Sequence, residues 1–317
     1  MRYSFIGDTT YALLLYLLYA DDNQIQSTTF YIGQNLAPCN LRHKVIMARV
    51  DNFSDTGIFI YRLKNISHCI NVGCSKIYAQ DHLPFSSALI GNSKYILLED
   101  CPNFFSNIDY AYQLDKRITW RSRLSHLLAG RTFTDIKGYN NTCIDRIISS
   151  QADVTCLSKC QLKYIHVNLE NLWQNSSQEK RNYIMNVFGI QNINTESCRP
   201  VVFFSQPIIN DAHFSQEELV NLLMPYFTKY GTKNILVKLH PRDTFDYKKY
   251  FPDVETLYTK APQQLLSLIG FHFSTAITIC SSAVSSVNKD CEVIWIGAEC
   301  DSRIIKAYGH VVNPINS

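Results

Sequence analysis

Apolar residues occur along this chain in short runs that are separated by polar turns and by helical stretches. Short runs rich in β-branched and aromatic residues predict strands, and apolar residues at helical spacing predict helices. In the first half, the predicted strands are Tyr3–Ile6, Lys44–Ala48, Ile58–Tyr61, Lys76–Tyr78, Tyr95–Leu98 and Tyr164–Val167. The predicted helices are Thr10–Tyr19, Ile108–Leu114, Ile118–Leu128 and Ser177–Val187.

The second half repeats this alternation. It contains predicted strands at Val201–Phe204, Asn234–Leu239, Thr256–Tyr258 and Glu292–Ile296, predicted helices at Ser215–Tyr230 and Pro262–Ile269, and an apolar stretch at Thr275–Ile279. Alternating strands and helices favour parallel sheets. We therefore predict an α/β protein with two doubly wound, Rossmann-like domains that face a central cleft. The predicted domains are residues 1–188 and 201–317, and the linker at 189–200 is polar and ends in proline.

Composition narrows the class of protein. The chain has 317 residues, 46% of them hydrophobic, which is enough for two domains with separate cores. A net charge of +3 is mild, so no nucleic-acid partner is expected. The 11 cysteines are odd in number and irregularly spaced, which indicates free thiols in a reducing cytoplasm. The apolar run Tyr11–Ala20 is too short to cross a membrane and predicts a buried helix.

One group of candidate residues follows the apolar run Ile235–Val237. Ligands of doubly wound sheets bind where strands end, so His240 is expected at a ligand-binding edge. Pro241 restricts the backbone of His240, while Lys238 and Arg242 are cations suited to phosphate oxygens. A histidine there could protonate or hydrogen-bond a departing phosphate, or it could simply cap the strand end.

A second group is the acidic pair Glu99 and Asp100, which follows the apolar run ending at Leu98. Adjacent carboxylates can raise one another's pKa, which suits a general base. The alternative is that they cap the next helix. Asp211, after the strand Val201–Phe204, is a further acidic candidate near a ligand-binding edge.

Hydroxyl residues form a third group. Ser274 and Thr275 follow Gly270 at the start of an apolar stretch, and as a helix start they could bind an anion through hydroxyl and backbone N–H groups. Ser281 and Ser282 compete for this role. The alternative is an ordinary helix cap without a ligand.

Other patterns limit the chemistry. The sequence contains no Walker loop, no G-x-G-x-x-G and no H-E-x-x-H, and it has no D-x-D pair of the kind that holds a nucleotide diphosphate through a metal ion. The segment Lys116–Arg123 mixes cations with Trp120. It could contact an anionic membrane surface or a lipid-linked acceptor, or it could be a solvated helix face.

Taken together, an acidic pair in the first half, His-Pro after a strand in the second and a later Ser-Thr pair resemble bacterial sialyltransferases of the GT-B type. The segments FFSQP, VKLHPRD and FSTA are similar to glycosyltransferase family 52, the lipooligosaccharide and capsule sialyltransferases. Bacterial polysialyltransferases share the three motifs. The resemblance implies a metal-independent inverting enzyme that transfers sialic acid from CMP-sialic acid to a terminal sugar, expected to be galactose, of O-antigen or lipooligosaccharide.

The resemblance also implies roles for particular residues. His240 would be the general acid or phosphate partner, held by Pro241. Ser274 and Thr275 would bind the phosphate of CMP, and Glu99 or Asp100 would deprotonate the acceptor hydroxyl. The glycine that follows the acidic pair in the family is Cys101 here, so Asp211 stays a second candidate for the base.

Two other functions stay open. One is a transferase of the same fold that uses a nucleotide-diphosphate hexose. The other is a non-catalytic sugar-binding protein of an envelope pathway. The expected location is the cytoplasm, with possible peripheral contact at the inner membrane.

Overall fold

The computed structural model describes residues 1–50, 54–102, 143–151, 164–191 and 199–311, together with residue 124. The chain divides into two compact units, Met1–Val187 and Phe188–Ser317, and each contains one sheet. Most of the linker predicted at 189–200 lies outside the described residues, as do the helices predicted at Ile108–Leu114 and, apart from Leu124, Ile118–Leu128.

The sheet of unit 1 has seven parallel strands. They are β1 (Tyr3–Gly7), β2 (Thr28–Ile32), β3 (Lys44–Ile46), β4 (Lys76–Ala79), β5 (Tyr95–Leu98), β6 (Ile144–Ser149) and β7 (Tyr164–His166), in the order β3-β2-β1-β4-β5-β6-β7. The winding direction reverses between β1 and β4, which makes the carboxyl ends of these two strands the switch point of the sheet.

The helices of unit 1 within the described residues are α1 (Thr10–Tyr19), α2 (Asp22–Gln26), α3 (Asp55–Lys64), α4 (Ile66–Gly73), α5 (Pro84–Ile90), α6 (Leu169–Gln174) and α7 (Gln178–Val187). Helix α1 is buried nearly all round, as predicted, and the Ala12 N–H donates to the Thr9 hydroxyl at its start. Within the described part of the chain, no helix has both the length and the hydropathy of a membrane span.

Unit 2 repeats the same winding on a smaller scale. Its parallel strands are β8 (Val201–Phe204), β9 (Ile235–Lys238), β10 (Glu255–Leu257), β11 (Thr275–Thr278) and β12 (Glu292–Trp295), in the order β10-β9-β8-β11-β12. Its helices are α8 (Ile208–Asp211), α9 (Gln216–Tyr230), α10 (Tyr247–Tyr250), α11 (Gln263–Leu268) and α12 (Ser302–Tyr308). The predicted capping box of Ser215 and Glu218 starts α9.

One predicted strand is wrong. Ile58–Tyr61 belongs to helix α3, which begins after Ser54, whose hydroxyl accepts from the Gly57 N–H at 3.1 Å. The apolar run in this segment does not distinguish a strand from a helix. The serine cap decides in favour of a helix because it supplies a partner for an N–H that a helix start leaves unpaired.

Candidate active site

The carboxyl edge of the sheet in unit 2 carries most of the predicted donor-binding residues. Strands β8, β9 and β11 end there side by side, because β8 pairs with both of the others in parallel. Crevices outside the carboxyl ends of strands, at the reversal of strand order, are where doubly wound sheets bind ligands.

His240 lies two residues beyond β9 and is held at two points. Its backbone N–H donates to the Ser205 hydroxyl (2.9 Å), and its Nδ1 accepts from the Arg242 backbone N–H (3.1 Å). Because Nδ1 is an acceptor, the proton of the neutral imidazole lies on Nε2. Partial burial, with the nearby Arg242 charge, lowers the pKa of His240, so the neutral form with an Nε2–H donor predominates at pH 7.

Arg242 is fixed by a carboxylate. Its two terminal nitrogens donate to the two oxygens of Asp211 at 3.0 and 2.9 Å, and the Tyr308 hydroxyl donates to Asp211 Oδ2 at 2.9 Å. The hydrogen bonds from Arg242 are the main reason that the pKa of Asp211 is lowered. A carboxylate that is ionised and accepts hydrogen bonds on both oxygens is a weak proton acceptor. Asp211 is therefore better suited to orient Arg242 than to act as a general base.

Lys238, the last residue of β9, contributes a second cation. Burial lowers the pKa of its ammonium to about 8, and its charge is close enough to lower the pKa of His240. Within the described residues, no carboxylate or hydrogen-bond acceptor contacts its Nζ. A partly buried ammonium without such a partner favours the binding of an anion.

The loop after His240 is anchored to the core. The Asp243 carboxylate accepts from the Phe245 N–H (3.1 Å) and from the hydroxyl of Tyr247 (3.0 Å), a residue that is almost fully buried. The Asp243 backbone N–H donates to the His240 carbonyl at 2.9 Å. These bonds hold Pro241 and Arg242 in a defined turn, which limits the entropy lost when a ligand binds.

At the switch point of unit 2, a glutamine bridges β8 and β11. Gln206 Oε1 accepts from the Cys280 N–H at 2.9 Å. Ser281 follows at the same edge, and its hydroxyl accepts from the Ala283 N–H at 3.3 Å where the short 3-10 helix Ser282–Ser286 begins. Ser281 and Ser282 are therefore on the edge that carries His240.

Ser274 and Thr275 are at the opposite edge. Thr275 is the first residue of strand β11, and the Ser274 hydroxyl donates to the Pro200 carbonyl at 2.9 Å. The interpretation of this segment as a helix start is wrong, because the backbone continues into the sheet. Since His240 follows the carboxyl end of a parallel strand, Ser274 and Thr275 are separated from it by the length of the strands. The structure gives no support for their predicted role in binding phosphate.

Unit 1 also has a glutamine at its switch point. Gln80, after β4, accepts from the N–H groups of Asp8 and Thr9 (2.8 and 3.2 Å), and donates to the Thr9 hydroxyl (2.9 Å) and to the Asp100 carboxylate. A Cβ at Gly7 would lie 2.7 Å from Gln80 Oε1, so a side chain at this position would displace the Gln80 amide. The carboxyl ends of β1, β4 and β5 are thus joined into one polar network.

The structure distinguishes the two members of the acidic pair. Glu99 is fully buried (0% exposed), and its Oε2 accepts from the Ser150 N–H at 2.7 Å and the Tyr11 hydroxyl at 3.1 Å. Burial raises its pKa. These contacts tie β5 to β6 and α1, and they leave Glu99 without access to a substrate hydroxyl.

Asp100 is partly exposed and faces a histidine. His82 Nε2 lies 3.5 Å from Asp100 Oδ1, and the side-chain exposures of the two residues are 27% and 24%. Burial raises the pKa of Asp100, and the nearby His82 opposes this rise. An accessible carboxylate with a raised pKa is suited to accept a proton.

The replacement of the family glycine by Cys101 does not disturb this edge. Within the described residues, only His43 and His213 combine a side chain with positive φ, so the backbone at Cys101 does not need glycine. The acidic pair is therefore compatible with a cysteine at the next position.

Several site residues were missed by the sequence prediction. Asp8, Gln80, Ser205 and Gln206 lie within two residues of the end of a buried strand, and His82 lies three residues beyond β4. The rule that selected Glu99 and His240 would have found Asp8, Gln80 and His82 had it been applied to β1 and β4, and after β8 it selected only Asp211. Tyr308 had no such signal, because it lies in the last helix and reaches Asp211 only through the fold. Among the residues described, no three His, Cys, Asp or Glu side chains are close enough to hold a metal ion.

Two doubly wound units, each with charged and amide side chains at the carboxyl edge of its sheet, define a GT-B-like α/β protein. Solved structures agree. A Photobacterium damselae sialyltransferase, in a structure corresponding to its GT-B domain, matches with a TM-score of 0.55 and 13% identity, over 97% of this chain and 96% of that one. The predicted fold class is confirmed.

The family follows from the sequence. A family model, glycosyltransferase family 52, matches residues 62–297, and the chain belongs to this family. An uncharacterized Haemophilus influenzae protein is 22% identical over 322 residues, covering 98% of this chain and 99% of the relative. The predicted family is confirmed.

Two further solved structures share the fold. An α/β-galactoside α-2,3-sialyltransferase from Photobacterium phosphoreum has a TM-score of 0.57 at 12% identity, over 92% of this chain and 89% of that one. A Photobacterium sp. JT-ISH-224 2,6-sialyltransferase, solved with CMP and lactose, has a TM-score of 0.59 at 9% identity, over 92% and 70%. At these identities the likeness is one of fold.

Proposed function

We propose that this protein transfers sialic acid from CMP-sialic acid to a terminal sugar, galactose being the first choice, of a bacterial surface glycan. The observation that carries the proposal is the cationic group at the end of β9. An Nε2–H donor on His240, an unpaired ammonium on Lys238 and an oriented guanidinium on Arg242 fit the phosphate of a nucleoside monophosphate. The relative solved with CMP and lactose, and membership of family 52, also support it.

The chemistry assigns one task to each group. Bond cleavage at the anomeric carbon leaves negative charge on the phosphate of CMP and positive charge on the sugar. His240 donates a hydrogen bond to that phosphate, while Lys238 and Arg242 neutralise its charge. In this proposal the side-chain cations supply the positive charge, and no metal ion is required.

Asp100 is the proposed general base. It accepts the proton of the acceptor hydroxyl as the oxygen attacks the anomeric carbon on the face opposite to CMP, so the configuration inverts. His82 lies beside the carboxylate and stabilises its charge when protonated. Glu99 keeps the edge in place from its buried position, and Asp211 orients Arg242.

The donor is tested first by thermal denaturation with CMP, UDP or GDP, because a ligand of the folded state raises its apparent stability. We expect CMP to stabilise the wild type and to stabilise His240→Ala much less. His310→Ala is the control, because His310 is an exposed histidine of the same unit. Stabilisation by UDP or GDP alone would assign a nucleotide-diphosphate donor. No response to any nucleotide would favour a non-catalytic sugar-binding protein.

Transfer is tested with CMP-sialic acid and lactose as a galactose-terminated acceptor. The expected product is a sialylated lactose of inverted anomeric configuration, identified by nuclear magnetic resonance. Hydrolysis of the donor without a glycosidic product would contradict the acceptor assignment.

A further inference from the structure

Helices α3 and α4 present an exposed apolar surface. Phe59 and Leu63 are four residues apart in α3, and Ile66 and Ile70 are four apart in α4, so each pair lies on one face of its helix. These side chains are 46%, 54%, 57% and 59% exposed. Ile60 of α3 and Ile46, the last residue of β3, are also exposed. We call these six residues the apolar surface of unit 1: Ile46, Phe59, Ile60, Leu63, Ile66 and Ile70.

The inner faces of the two helices show that this exposure is not loose packing. Both helices pack against α5, and Ile58, Tyr61 and Val72 are buried in the core of unit 1. The Tyr61 hydroxyl also donates to the Ala48 carbonyl at 3.0 Å, which joins α3 to the residues just after Ile46. The helices are therefore fixed on one side and apolar on the other.

The concentration of exposed apolar residues is unusual. Of the ten large hydrophobic side chains that are exposed in the described residues, six belong to this surface. Single exposed apolar residues are normal, but six on two consecutive helices and the strand before them are a concentration that points to a site of interaction. The surface therefore needs a partner with apolar character.

Charge identifies the kind of partner. Residues 42–80 contain six Lys or Arg and two Asp, which is a formal charge of 6 − 2 = +4. The whole chain carries 30 − 27 = +3, so the remaining residues sum to −1 and the positive excess lies in this segment. Arg49 and Lys64 are exposed, and neither forms an ion pair within the described residues.

We propose that the apolar surface of unit 1 docks on an anionic lipid bilayer, with Arg49 and Lys64 at the headgroups and the apolar side chains inserted between them. Surface helices with apolar faces and flanking cations lie in the interface of anionic membranes. A second copy of the chain is a poorer occupant, because a symmetric contact would place this positive segment against itself. Apart from Ile46 and Arg49, at the carboxyl end of the edge strand β3, these residues lie on helices α3 and α4 and not among the proposed catalytic residues. The inference does not depend on the identity of the donor.

Vesicle flotation tests the proposal with the full chain. We expect the wild type to float with vesicles of equal parts phosphatidylglycerol and phosphatidylcholine, to stay in solution with phosphatidylcholine alone, and to be released by salt. Phe59→Ser with Leu63→Ser should reduce binding roughly tenfold or more, because two anchoring side chains are lost. Met224→Ser, at an exposed apolar residue of unit 2, should bind as the wild type does.

Two double variants that reverse charge test the electrostatic contribution to membrane binding separately from the apolar one. The double variant Arg49→Glu with Lys64→Glu should not float with the vesicles. The control is Lys248→Glu with Lys289→Glu, which makes the same change in net charge at exposed lysines of unit 2. This control should float as the wild type does. Circular dichroism confirms that each variant is folded. The proposal is overturned if the wild type does not float, or if the Phe59/Leu63 variant floats equally well. It is also overturned if sedimentation shows a dimer that this variant dissociates, since the surface would then join two copies.

Discussion

The Asp211 carboxylate and the Arg242 guanidinium meet through two parallel hydrogen bonds of 3.0 and 2.9 Å. The Arg242 side chain remains 63% exposed, so part of its guanidinium stays open to a ligand while its orientation is fixed. This geometry makes Asp211 a positioning residue rather than the base.

Asp211→Asn tests this assignment. The amide cannot pair with both guanidinium nitrogens, so we expect the KM for the donor to rise about tenfold with kcat changed less than about threefold. Tyr308→Phe, which removes only the hydroxyl that donates to Asp211, should change the KM in the same direction by less. A loss of kcat of about 100-fold or more in Asp211→Asn, with an unchanged KM, would instead identify Asp211 as the general base.

Asp100 and Glu99 should differ in their effects on catalysis. Asp100→Asn removes the accessible proton acceptor, so we expect kcat to fall about 100- to 10,000-fold. Glu99→Gln keeps the shape of a side chain that does not reach substrate, so kcat should fall far less. Steady-state kinetics with saturating donor and acceptor measure both. The reverse order of losses would transfer the role of base to Glu99.

Lys238 should give donor binding a pH dependence. Burial lowers the pKa of its ammonium to about 8, so the free enzyme loses this charge as pH rises through that value. We expect kcat/KM for the donor to decline above about pH 8, because this parameter reports ionisation in the free enzyme. In Lys238→Met, kcat/KM should be lower throughout and this decline absent. A decline that survives the substitution would belong to another group.

Glu99 should make stability depend on pH. Its pKa is raised in the folded state, so between the unfolded value of about 4.5 and the folded value the native protein binds more protons than the unfolded chain. The free energy of unfolding that depends on Glu99 must therefore fall as pH rises through this window. Urea denaturation at several pH values should show this fall in the wild type and a weaker one in Glu99→Gln.

A matched control is Glu217→Gln, at an exposed carboxylate in α9, which should keep the wild-type pH dependence of stability. If stability in Glu99→Gln falls with pH as steeply as in the wild type, Glu99 is not the group responsible.

The sequence predicts those strands that consist of an unbroken apolar run, because a strand buried on both faces of a sheet has few polar positions. The run Ile235–Val237 is one example, and it placed His240 at the correct edge. The run at Ile58–Tyr61 failed because a short apolar segment fits one face of a helix equally well, and only the cap at Ser54 distinguishes them. The prediction of a helix start at Ser274 was wrong for a related reason, since hydroxyl residues after a glycine precede strands as well as helices.

The contacts within the site could not be predicted, since they depend on which strands become neighbours. Gln80 reaches Asp8 and Thr9 because β4 pairs with β1, although more than 70 residues separate them. Gln206 reaches Cys280 in the same way across β8 and β11. Strand order decides these contacts, and no local pattern in the sequence encodes it.

The hydrogen bond to His240 Nδ1 comes from a backbone N–H rather than from a side chain. Nearly any residue at position 242 can therefore preserve the imidazole tautomer, while its own side chain is free to vary with the donor. Proline alone lacks the N–H. The electronic state of the histidine and the selectivity of its neighbour can thus change independently during evolution, although they occupy the same turn.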